Sequence, residues 1–448
     1  MIGSLKGKTV SVLGLGISNI PLVHCLLDEG AIITARDRKD YTLISAEIKE
    51  LEENGVKLIC GEGYLDNITD EYIFRSPGLR YDKPEIQKAV DNGSVLTSEM
   101  ELFFERCPAH IIAVTGSDGK TTTTTLISKM IEAQFGRAFV GGNIGAPLLP
   151  QVKKMKEDDW AVLELSSFQL HTMKQSPEIA VITNLSPNHL DYHTDMQEYI
   201  DAKKNIFRHM KGKTKLILNY GNELTRNLAS EKSEGTEVLF FAGDEGVCEK
   251  DGSIYCKGEE ILKCSDILLP GHHNTENYMA AIGAVYPIVS KEVIVKLAKS
   301  FGGVEHRLEL VRIKDGVGYY NSSIDSSPTR TAAALSAFDS KVIAICGGYD
   351  KHIPFEPLAR TLIFGAKTVV LTGATAQKIK TVITECEAYK DGMPKIIMEA
   401  DFESAVRKAA ADAQDGDNVV LSPACASFDA FANFMERGNK FKEIINSL

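Results

Sequence analysis

Long apolar runs are absent from the 448 residues: none reaches the roughly 20 needed to span a bilayer. An excess of basic residues is also absent. Lysine and arginine number 50 against 61 aspartates and glutamates, a net charge of -11, which argues against broad binding to nucleic acid or anionic membranes. The nine cysteines are scattered and form no C-x-x-C pair. That excludes the usual zinc pattern and leaves reduced thiols as the expectation. The first residues lack a charged-then-apolar secretion pattern, and no short repeat or low-complexity tract occurs. A soluble, cytoplasmic protein is expected. What is present is an ordinary globular balance, 44% apolar and 25% charged, in a chain long enough for two to four domains.

Three segments alternate short apolar strands with amphipathic helices, the pattern of parallel α/β sheets. The first, residues 1–107, opens with TVSVLGLG, runs through a helix from about Ser18 to Glu29, and returns with AIITARD. The second, 108–305, holds HIIAVTG, WAVLELSS, IAVITNLS and KLILNY. The third, 306–448, holds GVGYYN, KVIAICGG, TVVLTGA and NVVLSPA before a C-terminal helix. Residues 227–264 read as polar and irregular, hairpins or an insertion. In open parallel sheets ligands sit beyond the carboxyl ends of strands, which directs attention to the residues after each one.

After HIIAV comes TGSDGKTT, a phosphate loop without its first glycine: Val114 stands where that glycine belongs. Gly116 and Gly119 allow a tight turn with N–H groups aimed at an anion, and the helix that follows adds positive potential. Lys120 can reach terminal phosphates and Thr121 can join Mg²⁺. Five consecutive threonines are not explained by helix propensity. Glu164, ending the next strong strand, is a hard oxygen donor suited to Mg²⁺, with Ser166 and Gln169 beyond it as partners for substrate oxygens. His189 and Asp191 follow a third strand of the same sheet. The first segment's Gly14-x-Gly16-x-x-Asn19 lacks the third glycine of the dinucleotide fingerprint, although Asp37 lies where a ribose-binding acid would. On its own it leaves a nicotinamide site and a plain strand–helix turn both open.

GSDGKTT resembles the ATP loop of the Mur ligases and folylpolyglutamate synthetases, in which the first glycine is missing too. The resemblance covers essentially the whole chain and implies three domains on mostly parallel sheets: Rossmann-like, P-loop ATPase-like and Rossmann-like. It implies an ATP loop of Gly116, Ser117, Asp118, Gly119, Lys120, Thr121 and Thr122, with Asn274 and Asn277 (in GHHNTEN), Arg307 (in VEHRLEL) and Ser322 also at ATP. Glu164, His189 and Thr121 become Mg²⁺ ligands, two ions in all. Lys203 (in YIDAKKNIF) aligns with a lysine that reacts with CO₂ to give a carbamate; free lysine is a cation, with pKa about 10.4, that would repel the metal. Lys120, His189 and Lys203 are thereby the catalytic candidates. Gly16, Ile17, Ser18, Asp37, Arg38, Ser76, Pro77, Gly78, Asn143, Ser166 and Gln169 would hold a uridine-diphosphate sugar.

The segment SPACASFDAFANFMERGNKF is similar to that of the D-glutamate-adding members. It implies Ser427, Phe428, Phe434 and Lys351 as the D-glutamate site, and ligation of D-glutamate to UDP-N-acetylmuramoyl-L-alanine through an acyl phosphate, by a monomer. Where many relatives read N-D-S-K-A-T-N, this chain reads NSSIDSSPTRT. A variant form of the family accounts for Ile324, Pro328 and Arg330, but Ser322 still replaces an aspartate and Asp325 an alanine. That departure keeps a catalytically silent UDP-sugar-binding paralogue open as an alternative, beside a sibling ligase that adds another amino acid.

Overall fold

The strands assemble into three sheets, each nearly all parallel. The computed structural model describes residues 3–189, 192–351, 353–390 and 392–448. The first sheet has five strands in the spatial order Lys57–Cys60, Ile32–Asp37, Thr9–Leu13, Tyr72–Arg75, Val95–Thr97, all parallel. The second has nine, with His110–Thr115 paired in parallel between Ile179–Ile182 and Trp160–Glu164. The third has six, led by an antiparallel pair, Glu309–Lys314 with Val317–Asn321. The central strands are buried along their length, as expected of sheets covered on both faces.

Residues 227–264 are more regular than their polarity suggests. Thr236–Phe241 joins the middle sheet in parallel to Thr214–Asn219, and an antiparallel hairpin, Val247–Lys250 with Ser253–Cys256, extends it. These strands, like Glu309–Lys314 and Lys395–Met398 in the third sheet, lie at or toward edges where one face is exposed, so their apolar signal is weak.

The chain divides into two compact units, Met1–Leu262 with Glu276–Ile294, and Lys263–Thr275 with Val295–Leu448. The first unit contains the first sheet and the body of the second. Its core is continuous through Phe103, Ala109, Leu149 and Met155, which join residues such as Val12 and Phe74 to Leu163 and Ile206. Among the described residues no helix is long and apolar enough to cross a membrane.

Candidate active site

Strand His110–Thr115 delivers the chain to Gly116, whose φ is +148°. A Cβ here would overlap the Thr183 hydroxyl, so only glycine fits the turn. Gly119, at φ +75°, caps helix Lys120–Phe135 without a side-chain bond; a Cβ there would stand 2.5 Å from Asn277 Oδ1. Asn184 Oδ1 accepts from the N–H groups of Ser117 (3.2 Å) and Asp118 (2.8 Å), so the amides the loop presents are those of the helix's first turn. The threonine run divides its work. Thr123 is buried and donates to Asn277 Oδ1 at 3.2 Å, Thr125 donates to the Thr121 carbonyl at 2.7 Å, and Thr121 and Thr122 remain half-buried at the helix start.

Two lysines converge on this turn. Lys120 Nζ donates to the carbonyls of Gly116 (3.0 Å) and Ser117 (2.8 Å). Lys203 Nζ donates to the same Gly116 carbonyl (2.8 Å) and to Thr115 Oγ1 (3.2 Å), and lies 4.7 Å from the centre of the Tyr199 ring. A lysine on a helix is ordinarily solvated, but helix Met196–Arg208, capped by Asp195, buries Tyr199, Lys203, Ile206 and Phe207, an i, i+4, i+7, i+8 face. Lys203 is 1% exposed. Burial pushes its amine well below the ordinary lysine range, the Lys120 charge adds to the shift, and Glu164 and Asp118 partly offset it.

Glu164 is buried at the end of strand Trp160–Glu164. Its Oε1 accepts from Asn143 Nδ2 at 2.8 Å, while Oε2 is buried without a hydrogen-bond partner. An ionised oxygen left bare in the interior is costly, and a hard cation satisfies it. The donor set therefore fits Mg²⁺. Asn143, expected at the sugar nucleotide, is thus placed on the carboxylate. Ser166 and Gln169 close a capping box on each other. His189 is exposed, with φ +54°, its ring edge-on to Phe168 at 5.0 Å. Asp191 lies outside the described residues.

In the first sheet, Asp37 accepts from the N–H groups of Leu15 (2.7 Å) and Lys39 (2.8 Å), which fixes the two loops where Gly16, Ile17, Ser18 and Arg38 lie. Ile17 is 85% exposed, a large apolar side chain open to a ligand. The turn Ser76–Pro77–Gly78 is held by a residue the motifs did not indicate. Arg75, 1% exposed, donates to the carbonyls of Ser76, Pro77 and Leu79, and also to Phe168 O and Thr172 Oγ1.

The second unit shows the same device. Arg437, 2% exposed, donates to Ser323 Oγ and O and to the carbonyls of Cys425 and Ala426; burial pushes its guanidinium down to about 10. Tyr349 N–H donates to the Ala426 carbonyl at 3.0 Å, which brings the loop of Lys351 beside that of Ser427. Ser427 is buried, Lys351 is exposed with Nζ 3.5 Å from the Ser326 carbonyl, Phe428 is 63% exposed, and Phe434 is edge-on to His306. Asn274 donates to the Pro270 carbonyl at 2.7 Å, and Arg307 is exposed. Ser322 accepts from the Leu308 N–H at 3.1 Å and bonds Asp325, which also accepts from Ser422 at 2.8 Å. Burial pushes the Asp325 carboxyl up to about 6.

A phosphate turn and a bare carboxylate at the ends of adjacent strands, with a buried lysine reaching the turn from a helix, define a nucleotide-dependent enzyme site. Comparison with known proteins assigns it. The Mur ligase middle domain matches residues 114–285, the Mur ligase glutamate ligase domain 306–425, and the N-terminal domain of Mur ligases like MurD 8–98. The chain belongs to the Mur ligase family.

Within that family, relatives about half identical along nearly the whole chain include UDP-N-acetylmuramoylalanine–D-glutamate ligases. That of Acetivibrio thermocellus is 50% identical, over 99% of this chain and 97% of the relative. Those of Clostridium perfringens and Clostridium beijerinckii are 47% and 50% identical, each over 99% of this chain and 98% of its own length. Solved structures agree on the fold. The UDP-N-acetylmuramate-alanine ligase of Thermotoga maritima gives a TM-score of 0.57 at 17% identity, covering 98% of this chain and 99% of that one. A UDP-N-acetylmuramoyl-L-alanyl-D-glutamate–2,6-diaminopimelate ligase also gives 0.57 at 17%, covering 99% and 92%.

Proposed function

We propose that this chain joins D-glutamate to UDP-N-acetylmuramoyl-L-alanine with hydrolysis of ATP to ADP and phosphate, a cytoplasmic step in building peptidoglycan precursors. The observation that carries the reading is the pair Lys120 and Lys203 on one carbonyl, with Glu164 within electrostatic reach. In this reading residues 1–107 hold the uridine nucleotide, 108–305 the ATP, and 306–448 the D-glutamate.

A carboxylate does not accept an amine, because its negative charge repels the attack and oxide is a poor leaving group. Transfer of the γ-phosphoryl group to the alanyl carboxylate gives an acyl phosphate. The D-glutamate amine adds to its carbonyl, and the tetrahedral intermediate expels phosphate. Lys120 faces the terminal phosphates. Thr121, Glu164, His189 and carbamylated Lys203 would hold Mg²⁺, two ions in this reading; when bound, Mg²⁺ offsets the repulsion between carboxylate and phosphate. Lys203 is suited to carbamylation because burial lowers the pKa of its amine and so favours the form that can react: the nitrogen attacks CO₂, a C–N bond forms, and one proton leaves for solvent. Ser427 and Lys351 bind the carboxylates of D-glutamate, with Phe428 and Phe434 beside its aliphatic part. Alignment of the reactants contributes on the order of 7–11 kcal/mol to such reactions.

Asp325 supports retained activity despite Ser322. The carboxylate missing at 322 stands three residues away, hydrogen-bonded to the Ser322 hydroxyl. The test is phosphate release with UDP-N-acetylmuramoyl-L-alanine, ATP and a panel of amino acids. D-Glutamate alone is expected to support turnover. Turnover with a different amino acid would make the chain a sibling ligase, and no release with any would make it a silent binding protein.

A further inference from the structure

Behind the loop that carries His189 lies a cluster that the ligase reading does not use. His171 follows the short helix Ser167–Leu170, His193 precedes helix Met196–Arg208, and Glu198 lies in that helix's first turn. One candidate ligand atom from each falls within 4.8 Å of the others. His171 Nε2 is 3.3 Å from Glu198 Oε1, and His193 Nδ1 is 3.7 Å from Glu198 Oε2. Two donors bound about 2.0–2.1 Å from a tetrahedral ion lie roughly 3.3–3.4 Å apart. The His171–Glu198 separation equals that of two donors on one ion, and the three ligand atoms are near enough to close on one with small side-chain shifts.

The nitrogen itself points the same way. His193 is 2% exposed; its Nε2 is bonded to Ser167 Oγ at 2.9 Å, yet its Nδ1 is buried with no hydrogen-bond partner. Metal-bound histidines are held in this manner, one ring nitrogen fixed by a neighbour and the other bare for the metal. We propose that His171, His193 and Glu198 form a site for a divalent transition-metal ion of the zinc class, separate from the Mg²⁺ positions.

Arg80 competes for Glu198, donating to Oε1 at 2.9 Å and Oε2 at 3.3 Å, but Asp82 pairs with its guanidinium. Oε2 also takes the Thr194 N–H and hydroxyl, whereas Oε1 takes Arg80 and faces His171 Nε2. A cavity of about 400 Å³, lined by Tyr81, Thr194, Asp195, Gln197 and Asp201 beside the cluster, gives an entry path and room for a water ligand. An ion here would pin the segment between His189 and Lys203 to the helix of Ser166 and Gln169.

The test is titration of the full-length protein with Zn²⁺ and Co²⁺ in excess Mg²⁺ and ADP, read by calorimetry and by the visible bands of tetrahedral Co²⁺. One equivalent is expected, with tetrahedral bands. His171→Ala and His193→Ala should each weaken binding by more than about a hundredfold, while Glu164→Gln leaves it unchanged. Failure of wild type to bind an equivalent, octahedral Co²⁺ bands, or loss in Glu164→Gln rather than in the histidine variants would each overturn the proposal. The wild-type Co²⁺ spectrum decides the matter even where a histidine variant fails to fold.

Discussion

Replacing Lys203 with methionine should make the protein more stable and destroy its activity. The side chain is 1% exposed and its amine carries no salt bridge among the described residues; its partners are a carbonyl and a hydroxyl. Methionine has similar length and no charge to desolvate. Removing Lys203 orphans neither partner, since Gly116 O still accepts from Lys120 and Thr115 Oγ1 donates to the Leu165 carbonyl at 2.7 Å. Exchange of buried charged groups for fitting apolar ones is neutral to stabilising by about 1–4 kcal/mol, and loss of two hydrogen bonds returns about 1–2 of that. The middle of each range leaves a net gain of about 1 kcal/mol at pH 7.

The pH dependence fixes the sign. The folded pKa lies below 10.5, so between the two values the unfolded chain holds a proton that the folded chain lacks. Wild-type stability then rises with pH by up to about 1.4 kcal/mol per unit, while the variant has no such slope. Its advantage should shrink from pH 7 to pH 9. The single tryptophan makes the assay local: Trp160 is buried in the middle sheet, stacked on His110 and Phe135, so urea unfolding read by its emission follows the body that contains Lys203. Buffers freed of CO₂ keep the amine unmodified during unfolding, while in bicarbonate-containing buffer the variant's phosphate release should fall at least about a thousandfold below wild type. A variant less stable than wild type at pH 7, a difference independent of pH, or near-normal turnover would refute the reasoning.

Gly116→Ala should abolish ATP-dependent phosphate release, since a Cβ there meets Thr183 at a φ that alanine avoids; ATP titration by calorimetry should show at least a hundredfold weaker binding. Glu99→Gln should stabilise the protein by about 1–2 kcal/mol at pH 8 and hardly at all at pH 5. Burial pushes that carboxyl up to about 7 from 4.5, so its contribution to stability is present below pH 4.5 and lost as pH rises through 7; urea midpoints at the two pH values check it. Arg437→Lys should raise the KM for D-glutamate by about 10–100-fold with a smaller effect on that for ATP, because an ammonium cannot hold the Ser323, Cys425 and Ala426 carbonyls together. Steady-state kinetics in each substrate separates the two effects.

Much of this architecture was legible in the sequence because buried parallel strands are continuous apolar runs, and because the phosphate turn needs glycines at fixed spacing. Strand ends then located Glu164 and the loop of His189. Other features depend on contacts between distant segments. Arg75 and Arg437 carry no sequence signal of burial, and only their hydrogen bonds to distant carbonyls such as Phe168 O and Ala426 O reveal clamps. His171 and His193 are 22 positions apart and meet only because the helix at Ser167 packs on the helix at Met196. Lys203 needed the resemblance: its helical face is buried, but a lysine among apolar positions does not announce a neutral amine. Edge strands such as Lys395–Met398 were missed for lack of an inward face on both sides.

The guanidinium of Arg75 grips the turn at Ser76–Leu79 and the helix at Phe168 at once. These two pieces belong to the first and second sheets, so their loops are registered against each other by one side chain with no slack. Hinge bending along that seam would tear several bonds from a desolvated cation. Any ligand that reshapes the 76–79 turn must therefore be felt at residues 166–172.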